Sequence, residues 1–180
     1  MKKLKKEIQF IVDVYKLGDF TKAELLTKEL IKSNLKVVFL YNLLGLILVE
    51  QKKIDEAINC YKEGIKIDPN FSMIYNNLGL LYFQHKYDGD TKKIENFYKK
   101  AIYLNQKLPE AHNNLGSLYN HLNKIEEAIE CYKRAININP KFSFAHHNLG
   151  AANVSLGNFN EAKKCFRESI KLNPKFFETH

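Results

Sequence analysis

Apolar residues in this chain recur at spacings of three and four, the stripe of a helix that buries one face. Four stretches carry the stripe in the same order: Ala57, Tyr61, Gly64; Ile94, Tyr98, Ala101; Ala128, Tyr132, Ala135; and Ala162, Phe166, Ser169. Each follows a Leu-Gly pair, at Leu44-Gly45, Leu78-Gly79, Leu115-Gly116 and Leu149-Gly150. Each is followed in turn by a stop, at Pro69, Pro140 and Pro174, with Gln106 in the corresponding place of the second stretch. The residue before a proline leaves the helical region, so these prolines end a helix. The pattern predicts pairs of helices. Small residues let two backbones approach, and a large ring fills the space between neighbouring pairs.

The pairs are copies of one unit. "NNLG" stands at Asn76–Gly79 and again at Asn113–Gly116, and His147-Asn148-Leu149-Gly150 nearly repeats it. The copies run over 38–71, 72–108, 109–142 and 143–176. A fainter one covers 4–37, where "GDFTKA" from Gly18 matches "GNFNEA" from Gly157, and residues 177–180 begin another. The copy at 72–108 is longer than its neighbours, around Tyr87-Asp88-Gly89-Asp90. A fixed period of this size marks stacked units that bury a continuous core only together. The expectation is one all-α domain over residues 1–180, a right-handed α-solenoid of about five helix-turn-helix pairs.

This joint pattern resembles the tetratricopeptide repeat (TPR) family, over nearly the whole chain. The resemblance implies that the first helix of each pair lines a concave groove and that the second helices form the convex face. Leu and Gly of "NNLG" are then structural, and the Asn residues turn toward the groove. Stacking puts Asn77, Asn114 and Asn148 in register. An amide offers both donors and an acceptor, so it can pair with the backbone of an extended peptide whatever its sequence. The TPR arm of O-GlcNAc transferases is similar in carrying such an Asn ladder. The candidate groove set is Asn77, Asn114 and Asn148, with Asn42, Asn76, Asn113, Leu46, Phe83, Ser117, His121 and His147. A solvated ladder predicts that replacing its Asn residues by Ala leaves the fold intact.

The same register grades the groove from apolar toward the N-terminus (Phe39, Leu46, Met73, Phe83) to polar toward the C-terminus (Glu110, Ser117, Asn120). TPR co-chaperones that clamp a C-terminal carboxylate use Lys and Arg in the groove. Here the matching places carry Met73, Asn77, Glu110 and Asn114, which argues against that ligand.

Charge changes the picture little. The net charge is +8, yet all but Arg134 and Arg167 of the 28 basic residues are Lys, in a chain rich in Asn and Ile. Lys92-Lys93, Lys99-Lys100 and Lys163-Lys164 fall on second helices, a solvated convex surface, so nucleic-acid binding ranks last among the readings. The apolar run from Val37 to Val49 is too short to span a bilayer, and no signal-peptide core follows "MKKLKKE", so a cytoplasmic location is expected.

Candidate chemistry is sparse. Cys60, Cys131 and Cys165 share one repeat position, so neighbours should lie roughly 10 Å apart, beyond the ~7 Å reach of a disulfide. Buried apolar roles fit them better. His112 and His146 take the bulky position where Tyr41 and Tyr75 stand, and no His-x-x-x-His pair suggests a metal. Asp88-Gly89-Asp90 lacks the other ligands of a calcium loop. No phosphate loop or nucleophile elbow is present. The reading is a non-catalytic interaction scaffold without cofactor, taking an extended peptide or a partner helix. A substrate-recruiting arm of a larger enzyme, of glycosyltransferase or sulfotransferase type, is the alternative. Phe176 and Phe177 add the expectation of a homodimer through the C-terminal end.

Overall fold

A computed structural model describes residues 2–33, 36–85 and 90–174. The described residues form ten α-helices and no strand: α1 (Lys2–Lys16), α2 (Phe20–Ser33), α3 (Val38–Glu50), α4 (Ile54–Ile67), α5 (Ser72–His85), α6 (Thr91–Leu104), α7 (Pro109–His121), α8 (Ile125–Ile138), α9 (Ser143–Ser155) and α10 (Phe159–Leu172). The chain divides into two compact units, residues 1–86 with α1–α5 and residues 87–180 with α6–α10. Tyr87, Asp88 and Gly89 of the longer copy, and Phe176 and Phe177, lie outside the described residues.

In the first unit, α1 packs on α2, α2 on α3, α3 on α4 and α4 on α5. Its core joins Ile11, Val14, Ala23, Leu43 and Ile47. Helix α3 is apolar on nearly every side and is buried accordingly, with neighbours in α2, α4 and α5. In the second unit α6 packs on α7, α7 on α8, α8 on α9 and α9 on α10. Its core includes Ile125, Ala128, Tyr132, Leu149, Ala152 and Cys165.

The Gly of "NNLG" is an absence of volume filled by a ring. A Cβ added at Gly116 would stand 2.7 Å from Cε1 of Tyr132, and one at Gly150 the same distance from Cε1 of Phe166. Gly45 meets Tyr61 in the same way. The aromatic residues of α4, α8 and α10 thus lie against the bare backbone of the first helix of their pair.

Two kinds of turn alternate. Inside a pair, the first helix ends in a left-handed residue: Gly18 (φ 81), Lys52 (φ 62), Asn123 (φ 58) and Gly157 (φ 74). The N–H of Lys52 donates to Val49 O at 2.8 Å and that of Lys53 to Leu48 O at 2.9 Å, the paired bonds of a Schellman motif. Between pairs, the side chains of Asp68, Asn105 and Asn139 each accept the N–H two residues on, at 2.9, 3.0 and 3.1 Å. Asn105 makes this turn without a proline, which is how the copy at 72–108 stops its second helix.

The bulky position four residues before Gly binds the same turn. Tyr75 Oη donates to Pro69 O at 3.0 Å. Nε2 of His112 and of His146 lie 3.1 and 3.0 Å from the carbonyls of Gln106 and Pro140. His and Tyr therefore share a hydrogen-bonding role here, tying a first helix to the turn before it, and do not simply fill space.

Candidate functional site

The predicted ladder lies on the first helices, and the structure divides its members into two kinds. Asn42 is 1% exposed, and Asn76 and Asn113 are each 7% exposed. Asn77, Asn114 and Asn148, one residue further along, are half-buried. A helix turns about 100° per residue, so adjacent Asn residues cannot share one face. The first of each pair turns into the stack and the second reaches its edge.

The two kinds hold each other across neighbouring repeats. In the first unit Asn77 Nδ2 donates to Oδ1 of buried Asn42 at 2.9 Å. In the second, Asn148 Nδ2 donates to Oδ1 of Asn113 at 3.0 Å. Asn76 Nδ2 donates to Asn77 Oδ1 at 3.3 Å, and Asn113 Nδ2 to Asn114 Oδ1 at 3.4 Å. Burial suppresses the acidity of the Tyr61 phenol. The Asn amides are thus fixed in orientation from below, and they are structural members as well as surface groups. The expectation that the ladder can be stripped to Ala without effect on the fold is corrected on this ground: Asn42 and Asn113 would lose their donors in buried surroundings.

The remaining candidates spread along the same helices. Leu46 on α3 and Phe83 on α5 are half-buried, and Met73 at the start of α5 is 40% exposed. Ser117 is half-buried, donating to Asn113 O at 3.2 Å and accepting from Tyr132 Oη at 3.5 Å. His121 is exposed in the last turn of α7. His147 is half-buried, its ring 5.4 Å from that of Phe166. Tyr15 Oη donates to Glu50 Oε1 at 3.3 Å across α1 and α3. The contribution of Tyr132 was not anticipated: its spacing reads as core, and only the hydroxyl on the ring signals a second role.

Burial pushes the Cys60 thiol up to about 12 and the Cys131 thiol up to about 11, and raises that of Cys165. All three are free thiols, and Cys60 Sγ donates to Tyr41 O at 3.2 Å. Among the described residues no three His, Cys, Asp or Glu side chains converge as a metal site, and no helix is long and apolar enough to cross a membrane.

Helix pairs joined by two alternating kinds of turn define a helical repeat fold. The chain belongs to the tetratricopeptide repeat family: a TPR repeat model matches residues 45–86, and a tetratricopeptide repeat model matches 109–142 and 143–176. Among solved structures, MamA shares 26% identity, with 92% of this chain and 95% of that one covered and a TM-score of 0.69. TTC0263, a thermophilic TPR protein in Thermus thermophilus, shares 18% identity over 97% of this chain and 94% of that one. Its TM-score of 0.82 is a likeness of fold. The uncharacterized protein ycf37 of Pyropia yezoensis is 36% identical over 69 residues, 38% of this chain. The match spans 37% of the length of that relative. TPR repeats mark the chain as a protein-interaction scaffold.

Proposed function

We propose that the chain is a non-catalytic scaffold that holds an extended peptide along the exposed rows of its first helices. The observation that carries this reading is the fixed orientation of Asn77 and Asn148, whose amides are each anchored by a buried Asn of the preceding repeat. An amide already fixed loses little freedom on meeting a ligand, so each bond it makes contributes more to affinity. Asn148 spends one of its two N–H donors on Asn113. Its second N–H and its carbonyl can meet the C=O and N–H of a peptide backbone. Leu46, Met73 and Phe83 in the first unit offer apolar contacts that select side chains, and Ser117 and His121 in the second offer polar ones. In this reading the protein works in the cytoplasm, and self-association runs through its C-terminal end.

The test is a peptide library selected on the wild-type chain and titrated against Asn148→Ala, with melting followed in parallel. A hydrogen bond contributes ~0.5–1.5 kcal/mol net. Affinity should therefore fall by a factor of several up to about tenfold, since ~1.4 kcal/mol is one decade. Unchanged affinity across the library in a folded variant overturns the ladder as a ligand contact. Binding should depend weakly on salt. A steep slope with a tight nucleic-acid complex would support the reading ranked last.

A further inference from the structure

The outer face of the first helix pair carries a cleft of about 280 Å³ between α1 and α2, lined by Glu7, Phe10, Ile11, Leu26, Glu29 and Leu30. Phe10 is 52% exposed. The repeat register explains why an apolar cleft stands here. With Gly18 aligned on Gly157, Phe10 corresponds to Leu149, Leu26 to Cys165 and Glu29 to Glu168. In the second unit those three residues line the cleft against which α8 lies, with Lys133 and Ile136 facing them. Leu149 and Cys165 are buried there with Ile125 and Tyr132 of α8. The first pair thus presents the seat of a preceding second helix.

The opposite end of the chain presents the matching helix. With Asn123 aligned on Gly157, Ile125 of α8 corresponds to Phe159 of α10, Ile136 to Ile170 and Lys133 to Arg167. Ile125 is 8% exposed under its neighbours, whereas Phe159 is 67% and Ile170 47% exposed. Charges also agree. The two ionic groups lining the seat are Glu7 and Glu29, Glu7 standing 3.9 Å from Lys3. Arg167, exposed on α10, corresponds to the lysine that α8 carries at this place, and Lys163 and Lys171 lie on the same helix.

We infer that the cleft formed by Phe10, Leu26 and Glu29 takes α10 of a second copy of this chain, which continues the repeat stack from molecule to molecule. The contact is heterologous: head meets tail, and each dimer keeps one open head and one open tail. It uses neither the Asn rows nor a peptide ligand, so it stands apart from the proposed groove.

Sedimentation velocity of the 180-residue chain over a range of concentrations tests it. The weight-average mass should rise above 21.0 kDa for the wild type. Phe10→Asp and Ile170→Asp should each remain monomeric, while their equal mixture forms dimers and nothing larger, because each supplies the intact end that the other lacks. Glu29→Lys and Arg167→Glu, both at exposed positions, should each weaken association. A mixture of those two should recover association, because the intact Glu29 of one variant meets the intact Arg167 of the other and the two altered ends form the reversed pair. Circular dichroism melting confirms that each variant is folded. Three results would overturn the inference: a wild type that stays monomeric, a folded Phe10→Asp that associates as well as wild type, or mixtures that remain monomeric.

Discussion

Replacing Asn77 by Ala tests whether the ladder belongs to the fold. The substitution removes the Nδ2 donor that meets Oδ1 of Asn42 at 2.9 Å. Asn42 is 1% exposed, so water cannot take the donor's place. A buried polar group left unpaired costs about 1–3 kcal/mol, against ~0.5–1.5 kcal/mol for a typical bond lost with both partners rehydrated. Asn77→Ala should therefore destabilise by about 1–3 kcal/mol. The converse change, Asn42→Leu, keeps a similar branched shape and leaves Asn77 half-exposed, where water can reach its amide. It should cost less than Asn77→Ala. The double variant should cost less than the sum of the two, because the unpaired carbonyl is removed together with its donor. Urea unfolding followed by circular dichroism gives the four stabilities, with coincidence of fluorescence and circular dichroism transitions as the check on two-state behaviour. The reasoning fails if Asn77→Ala is as stable as wild type, or if adding Asn42→Leu to it increases the damage by the full single-variant amount.

Gly116→Ala places a Cβ 2.7 Å from Cε1 of buried Tyr132, so thermal melting should show a loss of about 1–3 kcal/mol from overpacking. Lys52→Gly should raise the melting temperature, because Lys52 holds φ 62 at a helix end and a left-handed non-glycine residue costs about 1 kcal/mol. Hydrogen bonds from Lys28 and then Lys53 hold the Glu24 carboxyl down to about 2, against 4.5 for a free one. A depressed acid contributes its stability fully above the unfolded value and loses it as pH falls toward the folded value. Wild type should therefore lose more melting temperature than Glu24→Gln between about pH 5 and pH 2. The difference should be modest, because Lys28 and Lys53 are 48% and 39% exposed. Cys60 and Cys131, with thiols raised to about 12 and about 11, should react with a thiol reagent slowly in the native chain and quickly in denaturant.

The helices were legible because each level of the pattern agrees with the next. A small residue at Ala57 or Ala128, a ring four places on at Tyr61 or Tyr132, and a stop after it admit one local solution. Gly45, Gly116 and Gly150 were legible as structural for the same reason, although the ring that fills each gap belongs to the partner helix and is seen only in three dimensions. The turns were half legible. Proline marks the stops at Pro69, Pro140 and Pro174, while the Asx bonds at Asp68, Asn105 and Asn139 make the turns between pairs and are common enough in sequence to pass unnoticed. The ladder was the hardest to read. Its register follows from the period, but the fate of each amide depends on which neighbour stands within about 3 Å. Asn42 and Asn77 carry the same side chain 35 positions apart, one buried and one half-exposed, joined by one bond. Periodicity places residues on faces. It does not say which polar groups on that face are already paired with each other, and that pairing decides whether an Asn row is a surface for ligands, a strut between repeats, or both at once.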